Sequence, residues 1–352
     1  MRILFACSHP HLPAFVGGLQ TATDDLCRAL ARRGATPIVL CGTKLGGVRP
    51  GGRGPAPPYP VIRRDDPACA IAGVVAAERP NAIVVLTGKP TIRLLAAALK
   101  TGIPTALSIH SGAEGIDGAL PPGRSLLYFA CSPFVARMMD ALHGIDCAVI
   151  PPAVDPSRIV GASADAPARE ILFVNPSPAK GVERVIRLAR ARRRYRFTIV
   201  ESWSLTAGWR RYARARFGLA NLRWLPARAD LGPLYAAARV ALVPSVYEET
   251  WCRVVTEAQW NGVPVLASAR GNLPHTVGAG GVVLPFDAPD AVWLAALDRL
   301  MTDDAHHRRL AAAARRRVAA PELDLERIAR RFLGLLERHA RRVRLAQLAG
   351  PA

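Results

Sequence analysis

The chain has 352 residues, of which 50% are apolar, and its 47 Lys and Arg outweigh 27 Asp and Glu to give a formal charge of +20. This length and apolar content suffice for two domains of ordinary size and exclude a disordered chain. The seven cysteines are dispersed, without a CxxC pair or a Cys/His cluster, which indicates a reducing compartment and disfavours a zinc site. No segment has the pattern of a signal peptide or approaches the roughly 20 apolar residues that cross a bilayer, so a cytoplasmic protein is expected.

The positive charge is concentrated at residues 190–196, 210–216, 308–317 and 327–344. Binding of nucleic acid is disfavoured, because no zinc finger, RNP aromatic pair or homeodomain-like helix accompanies these segments. Peripheral contact with an anionic membrane is a stronger alternative, since basic helices dock on acidic lipids. The favoured interpretation is that these segments are solvated helix faces in an Arg-rich chain.

The first part of the chain alternates short apolar segments with segments of helical periodicity. Gly34 is positioned to end the first helix, and an irregular Gly/Pro-rich loop is expected at residues 42–60. Strands are predicted at 1–6, 37–41, 82–86, 105–110, 126–131 and 148–150, and helices at 21–33, 68–78, 91–100 and 133–142.

A second, similar series begins after the Pro-Pro pair at 151–152 and a polar, Ala-rich segment. Strands are predicted at 171–174, 196–200, 222–225, 240–243 and 263–267. Helices are predicted at 182–193, 205–217, 231–238, 253–260, 290–301, 305–318 and 325–348.

This alternation is typical of parallel, doubly wound sheets. We therefore expect an α/β protein in which two Rossmann-like domains face a cleft, with ligands bound at the carboxyl ends of the strands. The first domain is predicted at 1–156, a linker at 157–169 and the second domain at 170–324. The final segment, 325–352, is expected to return to the first domain, and a helix that faces a membrane is the alternative.

The most informative motif is residues 244–258, where Glu249 and Glu257 lie eight residues apart around a predicted helix start. The unpaired N–H groups at this helix start would favour an anion such as a diphosphate. A carboxylate accepts hydrogen bonds from vicinal hydroxyls, so one Glu could hold a hexose and the other a ribose. The alternative is a capped amphipathic helix with two solvated acids.

This motif resembles the signature of family 4 retaining glycosyltransferases of the GT-B fold, which is Pro-Ser, a Glu, an aromatic residue and Gly two and three residues later, and then Glu-Ala. Glu249, Trp251 and Glu257 match the signature, whereas Cys252 stands where the family has Gly. The resemblance implies that Glu249 contacts the donor sugar and that Glu257 holds the ribose. It also implies that the amides of residues 250–253 contact sugar and phosphate.

Two further matches lie in the first part of the chain. Gly17 and Gly18 match the N-terminal Gly-Gly loop of the family, in which the backbone approaches the donor phosphates or the acceptor. His110 matches a family histidine near the reacting sugar. A surface turn for the glycines and a structural role for the histidine are the alternatives.

The phosphate-binding part of the resemblance lies at residues 175–181. Lys180 matches a family Lys that neutralises the diphosphate, but Asn175 replaces an Arg, and Arg253 could substitute for this lost cation. Pro226 corresponds to a region that contacts the base. The implied donor site comprises Gly17, Gly18, Asn175, Lys180, Pro226, Glu249, Thr250, Trp251, Cys252, Arg253 and Glu257.

The resemblance implies a retaining hexosyl transfer from a UDP- or GDP-sugar to an acceptor hydroxyl of a glycan, a lipid-linked acceptor or a small molecule. His110, Lys180 and Glu249 are the candidate catalytic residues. No cofactor and no metal are expected, because cations and amides meet the negative charge of the diphosphate and the chain has no Asp-x-Asp motif. The alternatives are a sugar-nucleotide epimerase and a non-catalytic protein that binds nucleotide sugars.

Overall fold

The computed structural model describes residues 1–44, 56–121, 126–161, 169–202, 205–228 and 230–349. The chain divides into two compact units: unit 1 comprises Met1–Ala153 and Glu322–Ala352, and unit 2 comprises Val154–Pro321. Two parts of the predicted connections lie outside the described residues, namely 45–55 in the loop and 162–168 in the linker.

Unit 1 is built on a parallel sheet of seven strands in the order β3-β2-β1-β4-β5-β6-β7. Its strands are β1 (Arg2–Cys7), β2 (Thr36–Cys41), β3 (Val61–Arg63), β4 (Ala82–Leu86), β5 (Thr105–Ile109), β6 (Leu126–Ala130) and β7 (Ala148–Val149). Its first helices are α1 (Gly18–Arg32), α2 (Pro67–Glu78), α3 (Thr91–Leu99) and α4 (Pro133–His143). The strand order reverses between β1 and β4, so their carboxyl ends flank the switch point at which doubly wound sheets bind ligands.

Local sequence accounts for two of these helix starts. The Asp66 side chain accepts a hydrogen bond from the amide of Cys69 at the start of α2, and Ser132 does the same for Val135 at the start of α4. In both helices a proline follows the capping residue, where its fixed φ suits the first turn and its missing N–H costs nothing. Cap and proline together therefore set where the chain enters each helix.

Unit 2 contains a parallel sheet of six strands in the order β10-β9-β8-β11-β12-β13. Its strands are β8 (Glu170–Val174), β9 (Arg196–Val200), β10 (Leu222–Leu225), β11 (Ala238–Val243), β12 (Val265–Ser268) and β13 (Gly281–Leu284). Its helices are α5 (Val182–Ala191), α6 (Ala207–Arg216), α7 (Gly232–Ala237), α8 (Arg253–Trp260), α9 (Leu273–Val277), α10 (Asp290–Thr302) and α11 (Asp304–Val318). Here the order reverses between β8 and β11, which places the switch point beside the Glu249 motif. The predicted doubly wound α/β architecture is confirmed in both units.

The last helix, α12 (Leu325–Leu348), belongs to unit 1. Phe332 on α12 stacks on Phe129 with ring centroids 4.8 Å apart and on Phe5 at 5.9 Å. At the other end of the contact, His339 lies 2.9 Å from the carbonyl oxygen of Thr105. Within the described ranges, no helix is long and apolar enough to cross a membrane.

Three elements are missed by the sequence patterns, and each lacks the signal on which prediction depends. β3 has three residues, and α9 has five with a proline in its first turn, so neither shows a full period. β13 begins at Gly281, where an added Cβ would lie 2.2 Å from the carbonyl oxygen of Val265 on the neighbouring strand. Strand pairing in the folded unit, not periodicity, determines this edge.

The start of α1 differs from the prediction of residue 21. Thr21 N donates to the carbonyl oxygen of Gly17 at 3.0 Å, so Gly17 is the residue that precedes the helix. Gly18 therefore belongs to the first turn of α1 and not to the preceding loop. A Gly-Gly pair is a weak helix former, which is why the sequence favours a later start.

Candidate active site

Two loops meet at the switch point of unit 2, one after β8 and one after β11. Val246 N donates to the carbonyl oxygen of Ala179 at 2.9 Å and ties the loops together. Gly181 has a φ of +80°, and an added Cβ there would lie 2.0 Å from the carbonyl oxygen of Pro244. Only glycine allows this close approach, so the two loops form one surface at the carboxyl ends of the strands.

Glu249 is the centre of a buried polar network in this surface. Its side chain is 3% exposed, and Oε1 accepts hydrogen bonds from Lys180 Nζ at 2.7 Å and from Ser245 Oγ at 2.5 Å. Oε2 accepts from the Tyr247 hydroxyl at 2.6 Å, and the same hydroxyl accepts from Lys180 Nζ at 2.7 Å. The structure thus brings the predicted Lys180 and Glu249 into direct contact.

The charges of this network are fixed by their neighbours. Burial acts to lower the pKa of Lys180, but the Glu249 carboxylate beside it, with Tyr247 and Cys252, outweighs burial and raises that pKa above its usual value. Burial and the same carboxylate raise the pKa of Tyr247, so its hydroxyl keeps its proton. Lys180 is therefore a permanent cation at neutral pH.

The turn before α9 holds the backbone of Glu249. Asn272 N donates to the carbonyl oxygen of Glu249 at 2.7 Å. Gly271 has a φ of +55°, and an added Cβ would lie 2.3 Å from that same oxygen. These contacts fix the position of the Glu249 backbone.

Glu257 lies in α8 with a separate set of partners. Arg253 Nε donates to Oε1 at 2.9 Å, one helical turn away, and the Tyr235 hydroxyl donates to Oε2 at 3.0 Å. Arg253 is 9% exposed, so the cation that the sequence offers as a replacement for the missing Arg is paired with Glu257. Each carboxylate oxygen of Glu257 retains capacity for a further donor.

The chain enters α8 through Cys252, which has φ +71° and ψ 84°. This left-handed conformation favours glycine, which explains why the family has Gly at this position. In the part of the chain that the structure describes, no side chain caps the first turn of α8. Burial and the nearby Glu249 raise the pKa of the Cys252 thiol to about 12, so it stays protonated.

The other predicted donor-site residues of unit 2 surround this core. Trp251 is 3% exposed, and its indole N–H donates to Thr256 Oγ1 at 3.0 Å, so its side chain is an internal anchor. Asn175 is 4% exposed with φ +67°, and its Oδ1 has no hydrogen-bond partner among the described residues. Thr250 is half-buried beside the motif, and Pro226 is exposed after β10.

The remaining predicted residues, Gly17, Gly18 and His110, lie in unit 1. His110 follows β5, its amide donates to Thr87 Oγ1 at 3.0 Å, and its Nε2 lies 2.9 Å from Ser108 Oγ. Burial lowers the pKa of His110 to about 4, so the imidazole is neutral near pH 7. Next to it is a cavity of about 20 Å³, enough for roughly one water molecule.

Several polar residues of the two units form buried hydrogen bonds that sequence patterns do not predict. In unit 2 these are Ser245, Tyr247 and Tyr235, which lie close to a motif residue only after folding. In unit 1 a buried chain runs from His11 Nε2 to the Tyr59 hydroxyl at 3.0 Å and from that hydroxyl to Asp24 Oδ1 at 2.9 Å. Only the polarity of Asp24 inside an amphipathic helix signals this second network. Among the described residues, no group of three or more His, Cys, Asp or Glu is arranged to hold a metal ion.

We expect Cys252→Gly to lower the donor KM several-fold, because it removes a side chain from the helix start that the resemblance assigns to sugar and phosphate. Cys252→Ala keeps Cβ and the left-handed strain and is the matched control. Steady-state kinetics with the accepted donor would check this, and equal KM values for the two variants would exclude crowding by residue 252.

The buried His11 should make the protein less stable in acid. Burial lowers its pKa to about 4, with Asp24 raising and Arg63 further lowering it, whereas an unfolded His titrates near 6.5. Its contribution is thus complete above pH 6.5 and is lost as the pH falls toward 4, since the unfolded chain then binds the extra proton. We expect His11→Gln to flatten the dependence of unfolding free energy on pH in this window. An unchanged slope in denaturant titrations would contradict this assignment.

Two family models and several known proteins are similar to this chain. A family model for Glycosyltransferase Family 4 matches residues 16–158, and one for Glycosyl transferases group 1 matches residues 165–317. D-inositol 3-phosphate glycosyltransferase of Corynebacterium kroppenstedtii is 40% identical over 77 residues, which is 21% of this chain. The match spans 17% of that relative's length, less than a fifth of it.

Solved structures show the fold at low sequence identity. Anabaena HepE in complex with UDP-glucose has a TM-score of 0.77 and 17% identity, covering 96% of this chain and 99% of that one. Sucrose-phosphate synthase from Thermosynechococcus elongatus has a TM-score of 0.75 and 19% identity, covering 96% and 99%. The two family matches together show that the chain belongs to the family 4 glycosyltransferases. The structural likeness shows the GT-B type of fold.

Proposed function

We propose that this protein transfers a hexosyl group, with retention of configuration, from a nucleotide diphosphate sugar to an acceptor hydroxyl. The observation that carries the proposal is the placement of Lys180, Glu249 and Glu257 at one switch point of a doubly wound sheet. That position is where such sheets bind nucleotides. The alternative of a capped helix with two solvated acids is disfavoured, because the side chains of Glu249 and Glu257 are 3% and 12% exposed.

In this proposal the ribose lies against Glu257. Among the residues that the structure describes, Oε1 accepts from Arg253 and Oε2 from Tyr235, so each oxygen can accept one of two vicinal hydroxyls. The hydrogen bond from Arg253 then holds the carboxylate in one orientation. Glu249 receives the sugar.

The proposed reaction requires the protein to stabilise the negative charge that develops on the departing diphosphate. Lys180 supplies a permanent cation, and the uncapped first turn of α8 supplies N–H groups and the positive end of a helix dipole. No resident cofactor is required by this arrangement. The leaving phosphate would take the acceptor's proton in a front-face attack, and the neutral His110 of unit 1 would orient the acceptor or polarise it.

The similar proteins indicate which donor and acceptor should be tested first. HepE was solved with UDP-glucose, which supports a UDP-sugar as the donor class. The name of the Corynebacterium relatives supports inositol phosphate as a first small-molecule acceptor, beside glycan and lipid-linked acceptors. A UDP-sugar is therefore the first donor to test and a GDP-sugar the second.

The proposal is tested by incubating the protein with UDP-glucose, GDP-mannose or ADP-glucose and a panel of acceptors, followed by NMR of the anomeric proton in the product. Formation of a glycoside with the donor's own anomeric configuration is expected. A product of inverted configuration would contradict retention. Conversion of the donor sugar without an acceptor would favour the epimerase alternative, and binding without turnover or hydrolysis would favour the non-catalytic one.

A further inference from the structure

The Glu249 carboxylate has little capacity left for a sugar. A carboxylate oxygen accepts about two hydrogen bonds, and Oε1 already accepts from Lys180 Nζ and Ser245 Oγ. Oε2 accepts from Tyr247 and can take a further donor. In the state that the structure describes, Glu249 can therefore hold one hydroxyl and not a vicinal pair.

Lys180 is engaged in the same way. Its ammonium donates to Glu249 and to the Tyr247 hydroxyl, and it lies 4.7 Å from the centroid of the Tyr247 ring. Its side chain is 17% exposed, so little of the charge faces solvent. A diphosphate could receive a full set of contacts from Lys180 only if the lysine left Glu249.

We propose that Lys180 and Glu249 form a latch that the donor opens: the diphosphate draws Lys180 away, and the freed Oε1 of Glu249 accepts a sugar hydroxyl in its place. This inference rests on the proposed function. Tyr247 is the positioning residue, because its hydroxyl bonds to both partners and keeps Oε2 of Glu249 hydrogen-bonded while Lys180 leaves Oε1.

The latch couples the two ends of the donor. An intact nucleotide sugar replaces both contacts that the opening breaks, whereas a nucleoside diphosphate replaces only the one to Lys180. Glu249 is then left with an unfilled acceptor position in a buried site, which is unfavourable. The nucleoside diphosphate product should thus bind more weakly than its contacts with Lys180 alone would allow, and this favours its release.

The test is calorimetric titration with UDP, GDP and ADP, using whichever binds the wild-type protein. Glu249→Gln removes the charge that holds Lys180, so it should tighten nucleoside diphosphate binding by about tenfold or more. Glu248→Gln is the matched control: it removes the same charge one residue away, where the side chain is 45% exposed and pairs with Arg270 at 3.0 Å. That control should change the Kd by less than about twofold.

A double-mutant cycle separates the latch from simple repulsion between Glu249 and the ligand. In a Lys180→Met background, the latch predicts that Glu249→Gln no longer tightens binding, whereas direct repulsion would persist. If Glu249→Gln fails to fold, as judged by thermal melting, Glu249→Asp retains the charge and withdraws the carboxylate by one methylene. It should show a smaller tightening of a few-fold.

The outcomes distinguish the two proposals. If the wild-type protein binds no nucleoside diphosphate and no nucleotide sugar, the proposed function fails. If it binds them and Glu249→Gln binds the nucleoside diphosphate no tighter than Glu248→Gln does, or the tightening survives in the Lys180→Met background, the latch is overturned while the proposed function stands.

Discussion

Lys180→Met should reduce kcat/KM for the donor by roughly 100- to 1,000-fold, because it removes the cation that the proposed function assigns to the leaving diphosphate. It should also lower stability. Glu249 is 2% exposed, and without Lys180 the partners of its carboxylate among the described residues are the hydroxyls of Ser245 and Tyr247. Removing one partner of a buried ion pair typically costs about 3–5 kcal/mol. Donor kinetics and denaturant titration measure the two effects.

The control for this variant is Arg187→Met. Arg187 also forms an ion pair, with Asp290 at 2.5 Å, but its side chain is 50% exposed. Exposed pairs contribute about 0–1 kcal/mol, so this substitution should leave both turnover and stability nearly unchanged. Equal, small effects of the two substitutions would remove Lys180 from the active site.

Gly271→Ala should strongly disrupt the backbone of Glu249. The φ of +55° at Gly271 is unfavourable for alanine, and the new Cβ would lie 2.3 Å from the carbonyl oxygen and 2.7 Å from the amide nitrogen of Glu249. The backbone strain is worth about 1–2 kcal/mol, and displacing packed atoms adds about 1–3 kcal/mol. We therefore expect a loss of about 2–5 kcal/mol in unfolding free energy together with a large fall in kcat, because Glu249 must shift.

Gly34→Ala is the control that measures the cost of backbone strain alone. Gly34 has a φ of +79°, but nothing lies within 4 Å of an added Cβ, so the strain appears there without a clash. This variant should lose about 1–2 kcal/mol and keep full activity. If Gly271→Ala behaved like Gly34→Ala in both measurements, the turn before α9 would not support Glu249.

The fold could be predicted because its signals are local. Short apolar runs such as β4 and β11 are separated by helical periodicity and by Gly and Pro, which is sufficient to identify two doubly wound sheets. The spacing of Glu249 and Glu257 around the start of α8 is likewise visible within one short segment of the sequence. Both predictions depend on nothing beyond neighbours in the chain.

The contacts that give the site its chemistry could not be predicted in this way. Lys180 reaches Glu249 across 69 positions of sequence, and Tyr235 reaches Glu257 across 22. The sequence suggests that Arg253 could replace the missing Arg of the phosphate loop, and in the folded chain its guanidinium pairs with Glu257, one helical turn away. Contacts between side chains so far apart in sequence depend on strand order and loop conformation, which hydrophobic periodicity does not encode.

The central claim, that the switch point of unit 2 binds a nucleotide sugar through Glu257 and its neighbours, is tested most directly by calorimetric titration of wild-type and Glu257→Gln proteins with UDP-glucose, GDP-mannose and ADP-glucose. We predict that one donor saturates the wild-type protein with a submillimolar Kd and that the variant binds it about 10- to 100-fold more weakly, since charge-assisted hydrogen bonds contribute about 1.5–3 kcal/mol. Equal affinity of the two proteins for that donor, or no binding of any nucleotide sugar, would contradict the account.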